Sequence, residues 1–313
     1  MTSREERDSF LCLIHTLNRR ALPETASELM ARSIADSLRE ASDALQTAGV
    51  PEARREAGSL LSFIIGKDRT FLISHADDRL EATEFERFRE AVGRRAEGEP
   101  LQYITGVQDF YGREFRVTPD VLIPRPETEL LVEAALEAVA DVPGPSICDV
   151  GTGSGCIAVT LLCERTDASA VAVDVSEAAL AVATQNAQRH RVSDRIDLRI
   201  SDCFYGLEPM AFDLIVSNPP YVSAGALSGL QREVRDHEPL VALSPGEDGL
   251  TVIRRLLNEG PAFLNPNGHL IMEIGFDQGE KVQSLIDADV WRLVEIRPDL
   301  QRIPRIVMLQ RRD

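Results

Sequence analysis

The stretch Phe212-Asp-Leu-Ile-Val-Ser-Asn-Pro-Pro-Tyr221 joins an apolar run to a rigid polar end. The run from Phe212 to Val216 predicts a buried strand. The two prolines lack an N–H and fix φ, so they end the strand at Asn218. The side chain of Asn218 and the carbonyls of the Asn-Pro pair then form a stiff set of acceptors. They lie at the carboxyl end of a strand, where open α/β sheets bind their ligands.

Such acceptors suit a planar NH2 group, which has two hydrogens to donate. We interpret Asn218, Pro219 and Tyr221 as catalytic candidates that hold such a nitrogen for attack on an electrophile. Pro220 joins them as a substrate-binding candidate, and the ring of Tyr221 can lie against a flat group. The alternative interpretation is a rigid loop at the end of a strand, with no chemical role.

Composition is that of an ordinary protein with a full core: 313 residues, 43% hydrophobic and 27% charged. The net charge of −17 argues against a large nucleic-acid surface. No apolar run is long enough to span a bilayer, and no apolar signal core follows the N-terminus, so a cytoplasmic location is expected. The histidines and cysteines show no metal-ligand spacing, and no metal is expected.

Four segments follow from the pattern along the chain. Residues 1–32 form an N-terminal extension to which we assign no role. Residues 33–100 have helical periodicity, with a predicted capping box of Thr83 and Glu86, and form a helical bundle suited to substrate docking. Residues 101–122 form a β-hairpin linker around a glycine-containing turn. Residues 123–313 form the catalytic domain. Within it Arg125 is either a ligand contact or a solvated charge, and its spacing favours the solvated charge.

The catalytic domain alternates strands and helices, which predicts an α/β doubly wound, mainly parallel sheet. The two final strands are separated only by a short turn, so they pair antiparallel. The predicted strands are Ile147–Val150, Ala170–Val175, Ile196–Ile200, Phe212–Val216, His269–Ile274, Leu293–Ile296 and Ile306–Leu309.

A glycine loop, Asp149-Val-Gly-Thr-Gly-Ser-Gly155, follows the first of these strands. The dinucleotide fingerprint would need glycine where this chain has Cys156. Asp174 ends the second strand, where a carboxylate can accept hydrogen bonds from ribose hydroxyls. Asp202 ends the third strand and can accept from an adenine amino group. A tight turn with separate caps explains each feature alone, but explains their joint spacing poorly.

These residues resemble the class I S-adenosylmethionine-dependent methyltransferases. Together with Gly98-Glu-Pro-Leu-Gln-Tyr-Ile-Thr-Gly106, Phe110-Tyr-Gly112 and Val117–Glu129, they are more closely similar to the HemK-type glutamine methyltransferases that act on peptide chain release factors. The resemblance covers residues 33–313, and it sets Cys203 where the family often has tryptophan.

The resemblance implies S-adenosylmethionine as cofactor and transfer of its methyl group to the amide nitrogen of the glutamine in a Gly-Gly-Gln loop. The cofactor-binding residues implied are Gly151, Thr152, Gly153, Ser154, Gly155, Asp174, Asp202, Cys203 and Asn218. The partner implied is a peptide chain release factor. From the composition and residue spacing, no metal or membrane is expected, and the net charge disfavours nucleic acid.

Four alternatives remain open. The same chemistry on a ribosomal-protein glutamine is the nearest. A DNA adenine methyltransferase also grips a planar amino group, but the net charge of −17 opposes it. A NAD-dependent oxidoreductase conflicts with Cys156 in the glycine loop. A non-catalytic binding module would leave two intact half-sites, the glycine loop and the Asn-Pro-Pro-Tyr segment, without a function.

Overall fold

The computed structural model describes residues 32–208 and 210–312. The predicted N-terminal extension, residues 1–32, lies outside the described residues except for its last position. The described part of the chain forms two compact units, one ending at Glu97 and the other beginning at Gly98. Over the same residues, none of the helices has the length and apolar character needed to cross a membrane.

The first unit is helical. Its core is formed where the apolar faces of the helices pack, with Leu45, Leu60 and Leu61 fully buried. Gly66 ends the second helix in the left-handed conformation with a φ of 66°, where glycine has no steric penalty. The helices are α1 (Ile34–Thr47), α2 (Ala53–Ile65), α3 (Arg69–Ser74) and α4 (Ala82–Ala96).

The predicted capping box of Thr83 and Glu86 is wrong. Helix α4 begins earlier, at Ala82, and the Glu84 carboxylate accepts a hydrogen bond from the Glu81 backbone N–H at 3.0 Å. Glu81 is therefore the residue at the helix start, two positions before the predicted one.

The second unit begins with the short helix α5 (Leu101–Thr105) and an antiparallel hairpin of β1 (Val107–Phe110) and β2 (Arg113–Arg116). Its two turn residues, Tyr111 and Gly112, both have positive φ, 51° and 67°. A two-residue turn of this kind matches the twist of the strands that it connects.

The rest of the second unit alternates strands and helices, with a one-turn 3-10 helix at Pro126–Thr128. The remaining elements are α6 (Glu129–Ala138), β3 (Ser146–Val150), α7 (Cys156–Glu164), β4 (Ser169–Asp174), α8 (Glu177–Arg189), β5 (Ile196–Ile200), β6 (Phe212–Ser217), α9 (Arg232–His237), α10 (Leu240–Leu243), α11 (Thr251–Glu259), β7 (Leu264–Glu273), α12 (Gly279–Leu285), β8 (Trp291–Pro298) and β9 (Pro304–Arg311).

These seven strands form one sheet in the order β5-β4-β3-β6-β7-β9-β8. Strands β3 to β7 are parallel, and β9 runs antiparallel to both of its neighbours, β7 and β8. The predicted fold class, with its antiparallel final strand and helical N-terminal region, is confirmed.

Helices cover both faces of the sheet, so its central strands are apolar on both sides. In β6, Leu214 and Val216 pack into one core and Ile215 packs into the other. A register shift between Phe212 and Leu214 places Phe212 in the same core as Ile215, against simple alternation.

The strand order reverses beside β3, which lies between β4 and β6. Asp149 of β3 pairs with Val216 of β6 near the carboxyl ends of both strands. The loops that follow these two strands therefore meet at the topological switch point, where doubly wound sheets bind their ligands.

Candidate active site

The glycine loop after β3 leaves backbone open to a cavity. Gly151 and Gly153 have φ values of 77° and 54°, and a Cβ built on either residue would meet no atom within 4 Å. Both residues line a cavity of about 440 Å³. The missing side chains therefore leave room for a ligand to approach the loop.

Gly155 has a different place from the rest of the loop. A Cβ at this position would lie 3.1 Å from the Cβ of Ala183, so the glycine allows α7 to pack closely against α8. It is not among the residues that line the cavity. The structure thus places Gly155 at a helix contact, whereas Gly151, Thr152, Gly153 and Ser154 line the cavity wall.

Asp174 lies at the carboxyl end of β4 and lines the same cavity. Its Oδ2 accepts the Gly153 N–H at 2.8 Å, and its Oδ1 accepts the Ser176 N–H at 3.0 Å. A carboxylate has about four lone-pair sites, so each oxygen keeps capacity for another donor. Asp174 therefore fixes the loop and still offers acceptors to ligand hydroxyls.

Asp149 is fully buried beneath the loop, a role that sequence reasoning missed. Its Oδ2 accepts from the Thr152 hydroxyl at 2.7 Å and from the Ala158 N–H at 3.3 Å, while Oδ1 has no partner among the described residues. Burial raises the pKa of this carboxyl to about 7. The glycine loop thus rests on a buried carboxyl group that keeps one oxygen unpaired, which is rare for buried polar atoms.

Asp202 and Cys203, after β5, also line the cavity. Cys203 is buried with a positive φ of 53°, and burial raises the pKa of its thiol to about 11. Arg255 of α11 donates to Asp202 Oδ1 at 2.5 Å and to the Asp202 carbonyl at 2.9 Å. One carboxylate oxygen of Asp202 is thus shared with Arg255, which also lines the cavity and which the sequence did not indicate.

A second cavity, of about 450 Å³, also borders the Asn-Pro-Pro-Tyr segment. Asn218 and Pro219 line both cavities, Pro220 lines only the first, and Tyr221 lines only the second. Two of the three predicted catalytic residues, Asn218 and Pro219, therefore border both cavities, and the glycine loop lines only the first.

Two side-chain hydrogen bonds hold the Asn-Pro-Pro-Tyr segment in place. Asn218 Nδ2 donates to Thr128 Oγ1 at 3.0 Å, which turns the amide oxygen away from Thr128. The Tyr221 hydroxyl donates to Glu273 Oε1 at 3.1 Å, and burial raises the pKa of Tyr221. The backbone is held as well, because the buried side chain of Gln278 donates to the Tyr221 carbonyl at 3.1 Å.

Arg125 is not a solvated charge, so that interpretation is wrong. Its guanidinium donates to Glu238 Oε1 at 2.5 Å, and the Glu238 side chain is only 1% exposed. Burial raises the pKa of Glu238 although the charge of Arg125 lowers it. Both residues line the second cavity, and Arg125 also lines the first. The pair gives this region polar groups that can contact a bound chain.

Two protein families match successive parts of the chain. Residues 36–106 match the family described as PrmC N-terminal domain. Residues 126–233 match the family described as Methyltransferase small domain.

Curated relatives extend over most of the chain. The release factor glutamine methyltransferase of Cereibacter sphaeroides is 46% identical over 273 residues, 87% of this chain and 96% of that protein. The release factor glutamine methyltransferase of Koribacter versatilis is 44% identical over 265 residues, 84% of this chain and 93% of that protein.

Among solved structures, the catalytic domain of hMettl16 aligns with a TM-score of 0.50 at 14% identity, over 73% of this chain and 81% of that domain, a likeness of fold alone. The identities of the curated relatives decide the family. The resemblance seen in the motifs is confirmed, and the chain belongs to the release factor glutamine methyltransferases, which use S-adenosylmethionine as methyl donor.

Proposed function

We propose that this chain transfers a methyl group from S-adenosylmethionine to the side-chain amide nitrogen (N5) of the glutamine in the Gly-Gly-Gln loop of peptide chain release factors. The observation that supports this most directly is the position of Asn218 and Pro219 in the walls of both cavities. The methyl donor in the first cavity and the acceptor nitrogen in the second would meet beside these two residues.

The first cavity fits the cofactor. Its loop is open at Gly151 and Gly153, and Asp174 offers carboxylate oxygens. We assign cofactor binding to a set of cavity-lining residues: Gly151, Thr152, Gly153, Ser154, Asp174, Asp202, Cys203 and Asn218. When bound, S-adenosylmethionine supplies an electrophilic methyl group on its sulfonium.

The second cavity fits the glutamine amide. An amide nitrogen is a poor nucleophile because its lone pair is delocalised into the carbonyl, so orientation must provide much of the rate. In our proposal Asn218 Oδ1 and the Pro219 carbonyl accept the two amide hydrogens and direct the nitrogen towards the cofactor cavity. Tyr221 and Pro220 pack against the glutamine side chain. The residues thus act by positioning and electrostatics.

The lining of the second cavity also suits the peptide around the glutamine. Gln102, Gln231 and the Arg125–Glu238 pair offer donors and acceptors for backbone groups. Glycines lack a Cβ, so the two that precede the glutamine allow its backbone to come close to the mouth of the cavity. We also propose that the helical residues 33–100 dock the protein substrate, and that the reaction takes place in the cytoplasm, where release factors act.

The test is methyl transfer from labelled S-adenosylmethionine to purified release factor. A release factor with Gln→Ala in its Gly-Gly-Gln loop and a ribosomal-protein fraction serve as parallel acceptors. Label on the unaltered release factor alone supports the proposal. Label on the ribosomal fraction alone moves the substrate to the rival class. Label on none of the three acceptors, with S-adenosylmethionine still bound, contradicts the proposed substrate.

A further inference from the structure

Asn218 and Tyr221 are joined by a chain of hydrogen bonds through two buried residues. Asn218 Nδ2 donates to Thr128 Oγ1 at 3.0 Å, and the Thr128 hydroxyl donates to Glu273 Oε2 at 2.7 Å. The other oxygen of Glu273 accepts from the Tyr221 hydroxyl at 3.1 Å. Thr128 and Glu273 are 2% and 1% exposed, so water cannot readily replace the bond between them.

The number of hydrogens fixes the direction of this chain. An ionised carboxylate only accepts, so both hydroxyls must donate to Glu273. Thr128 has a single hydroxyl hydrogen, and the bond to Glu273 uses it. Towards Asn218 the hydroxyl can then only accept, which requires the NH2 end of the amide to face Thr128. The amide oxygen is left on the opposite side.

We propose that Glu273 is a positioning residue that determines which end of the Asn218 amide faces the substrate. The inference rests on the proposed function, because only an amino group in the second cavity needs the oxygen end. With the amide reversed, the NH2 of Asn218 would face the NH2 of the substrate, two donors without an acceptor. Glu273 would thus act on the reaction without touching the reacting atoms.

The charge state of Glu273 decides whether the hydrogen-bond chain holds the Asn218 amide in this orientation. Burial raises the pKa of Glu273, the bonds from Thr128 and Tyr221 and the charge of Arg305 lower it, and the charge of Glu127 raises it. A protonated Glu273 can donate to Thr128. Thr128 is then free to donate to the amide oxygen and the amide can reverse. Activity should therefore fall on the acid side, at a higher pH than for an ordinary glutamate.

The first variant to test is Glu273→Gln, which keeps the shape of the side chain. With its oxygen accepting from the Tyr221 hydroxyl, its NH2 faces Thr128 as a donor. We expect kcat for release-factor methylation to fall on the order of 100-fold. The Kd for S-adenosylmethionine and the thermal midpoint should change little, and the acid limb of the pH profile should disappear. The matched control is Glu295→Gln at an exposed position of β8, which removes a carboxylate outside both cavities and should leave kcat unchanged.

A second variant separates the effect of hydrogen-bond direction from the effect of side-chain packing. Asn218→Asp alone places a carboxylate against Thr128, whose only hydrogen is already used by Glu273, so this variant should be nearly inactive. Combining Asn218→Asp with Glu273→Gln frees the Thr128 hydrogen for the new carboxylate. The double variant should therefore have a higher kcat than either single variant. A merely structural role for Glu273 predicts the opposite, because two defects would accumulate.

Each result has a defined meaning when the unaltered protein is assayed in parallel. Label on release factor with the unaltered protein, loss in Glu273→Gln and recovery in the double variant support the inference. Label with the unaltered protein but full activity in Glu273→Gln, or no recovery in the double variant, overturns the inference and leaves the proposed function standing. No label with the unaltered protein overturns the proposed function and the inference with it.

Discussion

The Arg125 guanidinium lies 2.5 Å from Glu238 Oε1, although 113 positions separate the two residues in the chain. The pair is asymmetric, because the Glu238 side chain is 1% exposed and the Arg125 side chain is 31% exposed. It connects the segment before α6 to the end of α9, beside the second cavity. The asymmetry leads to a prediction about which partner can be removed.

Arg125→Ala should destabilise the protein more than Glu238→Gln. The first change leaves a buried carboxylate without its cation, which costs on the order of 3 kcal/mol. The second removes the buried charge, keeps an oxygen for Arg125 and costs roughly 1 kcal/mol. Urea unfolding followed by fluorescence of Trp291, the chain's single tryptophan, measures both. Equal losses, or the reverse order, would contradict this account.

Asn218→Ala should abolish methyl transfer and largely spare cofactor binding. The change removes the proposed acceptor for a substrate hydrogen, and we expect a loss of at least about 100-fold in kcat. The glycine loop and Asp174 remain, so the Kd for S-adenosylmethionine should stay within a few-fold. Transfer assays and cofactor titration on the same preparation provide the measurement. Full activity in this variant would refute the assignment.

Two glycines of one loop should respond differently to alanine. Gly153→Ala places a methyl group towards the open cavity, so it should weaken cofactor binding at least about 10-fold, with a stability loss of roughly 1 kcal/mol from positive φ. Gly155→Ala meets Ala183 and should cost roughly 2–4 kcal/mol of unfolding free energy. Each variant serves as the control for the other. Similar effects of both on affinity and stability would contradict the separate roles.

The contribution of Asp149 to the stability of the ligand-free protein should fall as pH rises towards neutrality. The pKa of Asp149 is raised by burial from 3.8 to about 7, so the folded state keeps this proton over a range in which the unfolded state releases it. Ionising the folded carboxyl then costs up to about 4 kcal/mol, a penalty that grows between about pH 4 and pH 7 and is constant above.

Asp149→Asn removes this term and leaves the other buried carboxyls in place. Unfolding free energies of both proteins at about pH 5 and about pH 8 should therefore diverge, with the unaltered protein losing more stability on the alkaline side. Parallel pH profiles for the two proteins would show that Asp149 does not titrate in this range.

Contiguous patterns made the sheet predictable. The apolar segments at β3 and β6 and the alternating segment at β5 are bounded by turn residues. The predicted strands agree with the observed ones within a residue or two. The start of β7 was missed, because Asn265-Pro-Asn-Gly268 is typical of a turn. In the structure this segment belongs to β7, whose pairing with β6 is irregular at this point, and Asn267 has a positive φ of 62°.

The residues of the site also divide into those that local sequence patterns predict and those that they do not. The glycine loop, Asp174 and the Asn-Pro-Pro-Tyr segment were predictable because each is a short motif at the end of a strand. Arg255, Glu238 and Glu273 were not, because their partners lie 53, 113 and 145 positions away. Only the folded chain brings a buried charge to a residue so distant, and a single sequence contains no local signal for it.

The position of the transferred methyl group tests the central claim most directly. After reaction with release factor, the Gly-Gly-Gln peptide is isolated, its mass and fragment ions are recorded, and the labelled peptide is hydrolysed in acid. We predict one added methyl group on the glutamine side chain and labelled methylamine in the hydrolysate, because an N-methyl amide releases that amine. A methyl group on another residue, or a hydrolysate without labelled methylamine, would contradict the proposal that Asn218 and Pro219 present an amide nitrogen to the methyl donor.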